Sequence, residues 1–271
     1  MLFAFGVVAS TVLTWWFATG AVLFVARRSD GRAHQIMTAM TVLAAGCMVG
    51  LYATAQAMST PSVFGAFLCA IGVWAWVEMS FLTGLVTGPR RTPCPGHLVG
   101  KRRFQAAWLA VRDHELVILA TGIAVLALTY TGENLTGLYV YLILWGMRIS
   151  AKLNIFLGAP NAISDMIPER LLYLTSYFRT DRISPLFWPA VLTAGAIFCW
   201  LCSAAISSLG GAAFTSHILL ASFLGLGILE KLFLVLNISD AALWSWAIPK
   251  PKDESATAAQ PKLKMSPLAM A

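Results

Sequence analysis

Seven long apolar stretches leave this chain few ways to fold. They lie near 3–26, 36–58, 63–86, 115–131, 135–157, 187–209 and 214–239. About 20 apolar residues make a helix long enough to cross the hydrocarbon core of a bilayer. Only 11% of the residues are charged, against roughly 25% in soluble domains, which excludes a soluble globular fold. The sequence therefore predicts an all-α, polytopic integral membrane bundle of about seven transmembrane helices.

The basic residues predict the orientation of this bundle. The loops 26–36, 86–114 and 158–186 and the segment after 249 hold 16 of the 19 lysines and arginines, while the loops between them hold none. Loops rich in lysine and arginine stay on the cytoplasmic side. We expect the N-terminus outside and the C-terminus in the cytoplasm. The net charge of +7 then has an explanation that involves no nucleic acid.

Two cytoplasmic loops and a tail complete the predicted domain organisation. Residues 1–249 form the transmembrane domain, with cytoplasmic loops near 87–113 and 158–186. In the second loop, Pro168 suits the first turn of a helix. The run LLYLTSYF that follows (171–178) predicts either an interfacial helix or a segment tucked into the bundle. After Pro249 the chain becomes polar, which predicts a disordered cytoplasmic tail over 250–271.

Charged residues inside the apolar stretches are the most informative ones. Three acidic residues lie in these stretches, and three basic residues match them in number. The acidic ones are Glu78, Glu115 and Glu230, and the basic ones are Arg148, Lys152 and Lys231. Each charge at the centre of a membrane helix costs about 2.5 to 3.5 kcal/mol. We therefore predict that Arg148 or Lys152 lies within salt-bridge or one-water distance of Glu78 or Glu115.

These residues have two interpretations. The charges either pair to fix the register of the helices, or they line a polar chamber, open to the cytoplasm, that holds a ligand with an anionic group. The candidate site residues in the cytoplasmic half are Glu78, His114, Glu115, Arg148, Lys152, Asn154, Asn161 and Glu230.

The sequence gives little support for metal binding, nucleotide binding or nucleophilic catalysis. His114 is a weak metal candidate that could bind the magnesium of a chlorin ring, but it is the one histidine near the chamber, so no protein-held metal is predicted. No dinucleotide, Walker or nucleophile-elbow motif occurs. Catalytic residues stay unassigned. Cys199 and Cys202 have CxxC spacing inside an apolar stretch, which favours packing over redox chemistry.

Three blocks of the chain resemble the PuhE family, the photosynthetic complex assembly proteins of purple phototrophic bacteria. They are WAWVEMSFLTGLVTGPRRTPCP (74–95), DHE (113–115), and LWGMRISAKLNIFLGAPN (144–161) followed by ERLLYLTSYF (169–178). The resemblance covers the chain to about residue 245. It implies a multi-pass protein of the bacterial inner, photosynthetic membrane, but it assigns no catalytic role.

The resemblance also implies a function. We expect an accessory factor for assembly of the photosynthetic reaction centre and core antenna that modulates bacteriochlorophyll synthesis. Its partners would be subunits of the photosynthetic complex or pigment-synthesis enzymes, and bacteriochlorophyll or a precursor is a candidate ligand. One alternative is a membrane enzyme acting on a tetrapyrrole or lipid, with His114 or Glu115 as acid or base and Arg148 and Lys152 as an anion clamp. A transporter is the third interpretation.

Overall fold

The chain folds into helices joined by loops, as seen in a computed structural model that describes residues 2–29, 31–162 and 167–236. Seven α-helices and one 3₁₀ helix, η1, make up the regular structure of these residues. In chain order they are α1 (Leu2–Arg27), α2 (Ala33–Ala55), α3 (Thr60–Leu82), α4 (Gly100–Thr129), α5 (Thr136–Leu157), η1 (Glu169–Tyr177), α6 (Phe187–Ser207) and α7 (Ala212–Phe233).

The helices run up and down between two faces. Loop contacts bring together the ends of α1, α3, α5 and α7 at one face, where the basic loops also lie, and we call this the basic face. At the opposite face, the turn after α4 contacts the end of α2, where the backbone N–H of Asn134 donates to the carbonyl of Ala55 over 3.1 Å. The α4 helix thus runs from one face to the other.

The all-α membrane bundle predicted from the sequence is confirmed. Six helices are long and apolar enough to cross a membrane, namely α1, α2, α3, α5, α6 and α7. The predicted span near 115–131 corresponds to the second half of α4. The α4 helix is not among the six apolar helices, because its first half carries most of its charged residues. Side chains such as Val42, Leu192 and Ile206 are about 70% exposed on the outside of the bundle, as lipid-facing residues should be.

Two helices end earlier than the predicted spans. The α3 helix ends at Leu82 rather than near 86, and α7 ends at Phe233, whereas the predicted limit of 239 lies outside the described residues. The polar loop residues Thr83 and Gly84 end α3, and Gly84 adopts a φ of 75° that favours glycine. Glu78 and Glu230 therefore lie closer to the basic face than the sequence predicted. The predicted tail over 250–271 also lies outside the described residues.

The main core lies between α3, α5 and α7, with Phe67, Tyr141 and Leu219 among its fully buried members. The α2 and α3 helices approach closely through reciprocal pairs of glycine and cysteine. A Cβ added to Gly50 would lie 2.5 Å from Cys69 Sγ, and one added to Gly72 would lie 2.5 Å from Cys47 Sγ. Small residues of this kind allow membrane helices to pack tightly, so these cysteines serve as packing residues.

A second, smaller core covers the basic face. It packs η1 against the first half of α4 and the loop 84–99, with Leu171, Leu174, Phe81 and Ala110 buried in it. We call this layer the cap. The run after Pro168, for which the sequence predicted either an interfacial helix or a segment tucked into the bundle, forms η1 and packs against protein in this layer. Leu171 and Leu174 are buried under protein rather than left to contact lipid.

Two arginines fasten the cap to the helix ends. Arg170 of η1 donates to the carbonyl of Ala26 over 3.0 Å and to that of Thr83 over 3.3 Å. Arg103 donates to the carbonyls of Phe156 and Tyr177. Carbonyls at helix C-termini lack intrahelical partners, so each guanidinium satisfies groups that the helices leave open. Burial, followed by the nearby Arg179, lowers the pKa of Arg103, and these carbonyls stabilise its charged form.

Candidate functional site

A polar layer crosses the bundle directly beneath the cap. The α3, α4, α5 and α7 helices and the loop after α3 all contribute to it. Its members are Glu78, Thr87, His114, Glu115, Trp145, Arg148, Ser150, Lys152, Asn154 and Lys231. The charge pairs lie between α5 and its neighbours α3 and α4, and a hydrogen-bonded group lies between α5 and α7.

Two ion pairs join α5 to α3 and α4. Arg148 Nη2 lies 2.7 Å from Glu78 Oε2, and the Lys152 ammonium contacts the Glu115 carboxylate. Both carboxylate side chains are only 12% exposed. The pairing predicted from the sequence is confirmed. Because Arg148 and Lys152 are four residues apart, they share one face of α5, and the two glutamates remove the repulsion between them.

His114 is fully buried beside these pairs. Its ring lies against Phe81, with centroids 4.5 Å apart, and its backbone N–H donates to the Thr87 carbonyl over 2.9 Å. Within the described residues, neither ring nitrogen has a hydrogen-bond partner. No group of three histidine, cysteine, aspartate or glutamate side chains in that same part of the chain is arranged to hold a metal ion.

The opposite side of α5 contacts α7. Ser150 is two residues from both Arg148 and Lys152, which places it about 200° round the helix. Its hydroxyl accepts a bond of 2.5 Å from the ammonium of Lys231, a residue that is only 3% exposed. The Asn154 amide donates to the Ser150 carbonyl over 2.8 Å. The α5 helix is therefore polar on two sides in a part of the bundle that is otherwise apolar.

The layer also contains many polar atoms without partners. Seven of its buried side-chain atoms make no hydrogen bond within the described chain, and they are Glu78 Oε1, Thr87 Oγ1, both ring nitrogens of His114, Trp145 Nε1, Arg148 Nε and Asn154 Oδ1. Buried polar atoms in native proteins are nearly always paired with protein or ordered water. Such a concentration in one layer indicates a place for bound water or a polar ligand.

Two predicted site residues have positions that the sequence did not anticipate. Asn161 lies after α5 and donates its side-chain amide to the carbonyl of Val235 over 2.8 Å. It therefore fastens the loop after α5 to the end of α7. Glu230 is half-buried on α7 next to Lys231 and makes interactions of its own. Lys231 is the α7 residue that reaches across to α5.

Comparison with known proteins places the chain in a family. The profile described as "Protein of unknown function (DUF3623)" matches residues 1–255. The chain belongs to this family. A protein of Rhodobacter capsulatus described as "Uncharacterized 30.4 kDa protein in puhA 5'region" is 37% identical over 263 residues, covering 94% of each chain. No solved structure matches.

The candidate site residues predicted from the sequence did not include several polar-layer residues of this DUF3623 chain. Thr87 and Trp145 carry no charge and look like ordinary loop and membrane-helix residues. Lys231 was expected only as one member of a balanced set of charges. What could have singled out Ser150 is its position between Arg148 and Lys152, because a hydroxyl there must point to the other side of α5.

Proposed function

We propose that this protein is an accessory factor for assembly of the photosynthetic reaction centre and core antenna in a bacterial inner membrane. In this proposal it modulates bacteriochlorophyll synthesis by holding a pigment, a pigment precursor or another amphiphile in the polar layer. The resemblance to PuhE proteins supports the assembly role. The name of the relative from Rhodobacter capsulatus, which refers to puhA, agrees with it.

The unpartnered polar atoms are the observation that carries the ligand-holding part of the proposal. A layer that served only to fix helix register would be expected to satisfy its own atoms, since a half-satisfied buried network is costly. Here Arg148 uses Nη2 for Glu78 while its Nε stays unpartnered among the described residues, as does Glu78 Oε1. A ligand or water that bonds to these atoms would complete the network.

The cap gives this layer a way to connect with partners. Phe81 belongs to the core of the cap and also stacks on His114 of the polar layer. Occupation of the layer would therefore act directly on the packing of the cap. A partner protein that binds the basic face would be sensitive to whether the ligand is present.

The decisive experiment separates protein level from pigment level. The gene is deleted in a purple phototrophic bacterium and restored as wild type, Arg148→Lys or Arg112→Lys. Arg148→Lys keeps the positive charge but removes the planar fork of donors. Arg112, paired with Asp113 at 2.9 Å and 41% exposed, is the matched control outside the polar layer.

We expect the deletion to lower the absorbance of the assembled photosynthetic complexes. Arg148→Lys should accumulate as protein while restoring little pigment, and Arg112→Lys should restore both. The protein, purified in mild detergent, is then analysed for bound pigment by absorption and mass spectrometry. Normal pigment in the deletion strain would refute the assembly role. Full restoration by Arg148→Lys would refute a ligand that bonds to the pair of Arg148 and Glu78.

A further inference from the structure

The cations of the polar layer differ in how they are neutralised. Arg148 and Lys152 each contact a glutamate carboxylate. Lys231 is only 3% exposed and interacts electrostatically with the adjacent Glu230, yet no carboxylate oxygen of the described residues lies within 4.0 Å of its ammonium. Its hydrogen-bond partner is the neutral hydroxyl of Ser150. An anion clamp at Arg148 and Lys152, as the sequence suggested, is therefore less suitable than a site at Lys231.

The hydroxyl of Ser150 can also donate a hydrogen bond. Its oxygen accepts from Lys231 and, over 3.4 Å, from the Asn154 amide, so its own proton is directed elsewhere. Most serines in membrane helices donate to a carbonyl one turn earlier, as Ser222 does to Ile218 over 2.7 Å. No such bond from Ser150 is found among the described residues. Lys231 and Ser150 thus present two donors side by side.

Asn154 adds an acceptor beside them. Its Oδ1 is buried and has no partner in the described chain, and the residue is 1% exposed. A group that satisfied all three side chains would combine an anionic oxygen with a neighbouring O–H. A phosphate ester with an adjacent hydroxyl has this chemistry, whereas a plain carboxylate lacks the donor and a choline phosphate carries its own cation and lacks the hydroxyl.

The position of Lys231 suits a group from the membrane surface. The residue lies two positions before the end of α7, at the basic face. Loops rich in lysine and arginine draw anionic lipid to the membrane surface on their side. We propose that Lys231, Ser150 and Asn154 form a seat for a phosphate group with a neighbouring hydroxyl, such as the headgroup of phosphatidylglycerol. This inference rests on the proposed ligand-holding role and names the group that the layer binds.

The test measures thermal unfolding of the purified full-length protein in detergent. The added probes are phosphatidylglycerol, phosphatidylcholine and inorganic phosphate. We expect a saturable rise in the unfolding midpoint with phosphatidylglycerol and none with phosphatidylcholine. A comparable rise with inorganic phosphate would keep the seat but identify a free phosphate as its source. No response to either anionic probe would overturn the proposal.

Variants locate the effect. Lys231→Met should weaken the apparent affinity for phosphatidylglycerol by about tenfold or more, because a hydrogen bond to a charged group is lost. Ser150→Ala should weaken it several-fold, and Ser222→Ala, the matched serine on α7, should not. Methionine places an apolar side chain of similar length where a buried ammonium has no carboxylate within salt-bridge distance among the described residues, so Lys231→Met is expected to fold. If Lys231→Met does not fold, the proposal is tested by comparing the affinity of Ser150→Ala for phosphatidylglycerol with that of Ser222→Ala.

The outcomes also separate this seat from the wider proposal. If Lys231→Met and Ser150→Ala respond to phosphatidylglycerol as the wild type does, the seat is wrong, even where deletion of the gene lowers pigment. If both variants lose the response but the deletion strain has normal pigment, the seat stands and the assembly role fails.

Discussion

At the scale of single residues, the environment of a charge decides what its removal costs. Glu78 is 12% exposed and has Arg148 as its counter-charge, whereas Asp113 is 44% exposed and pairs with Arg112. A buried carboxylate cannot recover its solvation from water when its partner is lost, but an exposed one can. Two arginines of the same chain therefore allow a controlled comparison.

We predict that Arg148→Met lowers the free energy of unfolding by about 3 to 5 kcal/mol, because it leaves Glu78 buried and unpaired. Arg112→Met should cost less than about 1 kcal/mol. Thermal or denaturant unfolding in the same detergent measures both. Adding Glu78→Gln to Arg148→Met should restore much of the loss. Equal costs for the two arginine variants would contradict this account of the pair.

Much of this residue-level arrangement could be predicted, because a buried charge in lipid needs a partner and the chain has few to offer. The sequence left open which cation pairs with which carboxylate, and the rotation of α3 and α4 against α5 decides it, with Arg148 on Glu78 and Lys152 on Glu115. The side of α5 that contacts α7 could not be predicted. Ser150 and Asn154 carry no charge, and the partner of Lys231 depends on how α7 is rotated.

At the scale of elements, the cap depends on close backbone contact between the loop after α3 and the first half of α4. A Cβ added to Gly88 would lie 2.2 Å from the Leu109 carbonyl oxygen and 2.7 Å from the Ala110 carbonyl carbon. These are backbone atoms of a helix, so they cannot rotate away. Gly96 lies further along the same loop, and nothing lies within 4 Å of a Cβ added there.

We predict that Gly88→Ala destabilises the protein by about 1 to 3 kcal/mol, the usual cost of forcing extra volume into a packed region. Gly96→Ala should change stability by no more than about 0.5 kcal/mol. Limited proteolysis of the loop 84–99 provides a local measurement beside thermal unfolding, and Gly88→Ala should be cut faster. Equal protection of the loop in both variants would show that the close approach at Gly88 is unimportant.

The cap was the part of the fold that was hardest to predict from the sequence. Its loop is rich in glycine, proline and basic residues, which is typical of a solvated segment, and its 3₁₀ helix is amphipathic enough to lie on a membrane. Burial of Leu171 and Leu174 depends on Arg170 and Arg103 reaching the ends of distant helices. Contacts of this kind join residues more than fifty positions apart, and local patterns do not encode them.

At the scale of the whole molecule, the distribution of basic residues among the loops agrees with the directions in which the helices run. The loops that hold lysine and arginine among the described residues all lie at the face where α1, α3, α5 and α7 end. The turns 56–59 and 130–135 lie together at the opposite face, where the Met58 backbone N–H donates to Glu133 over 3.4 Å. A reporter can therefore distinguish the two faces at sites that the fold brings together.

We predict that the basic face is cytoplasmic, because loops rich in lysine and arginine are retained there. Single cysteines are introduced at Gln56 and Glu133 on one face and at His97 and Arg182 on the other, in a chain whose natural cysteines are replaced by serine or alanine. A membrane-impermeant thiol reagent applied to intact spheroplasts should label the first two positions only. Labelling at Glu133 also tests the crossing by α4, since the turn at 130–135 reaches the outside only if that helix spans the membrane. Exclusive labelling at His97 and Arg182 would reverse the orientation and place the polar layer in the outer half of the membrane, away from cytoplasmic partners.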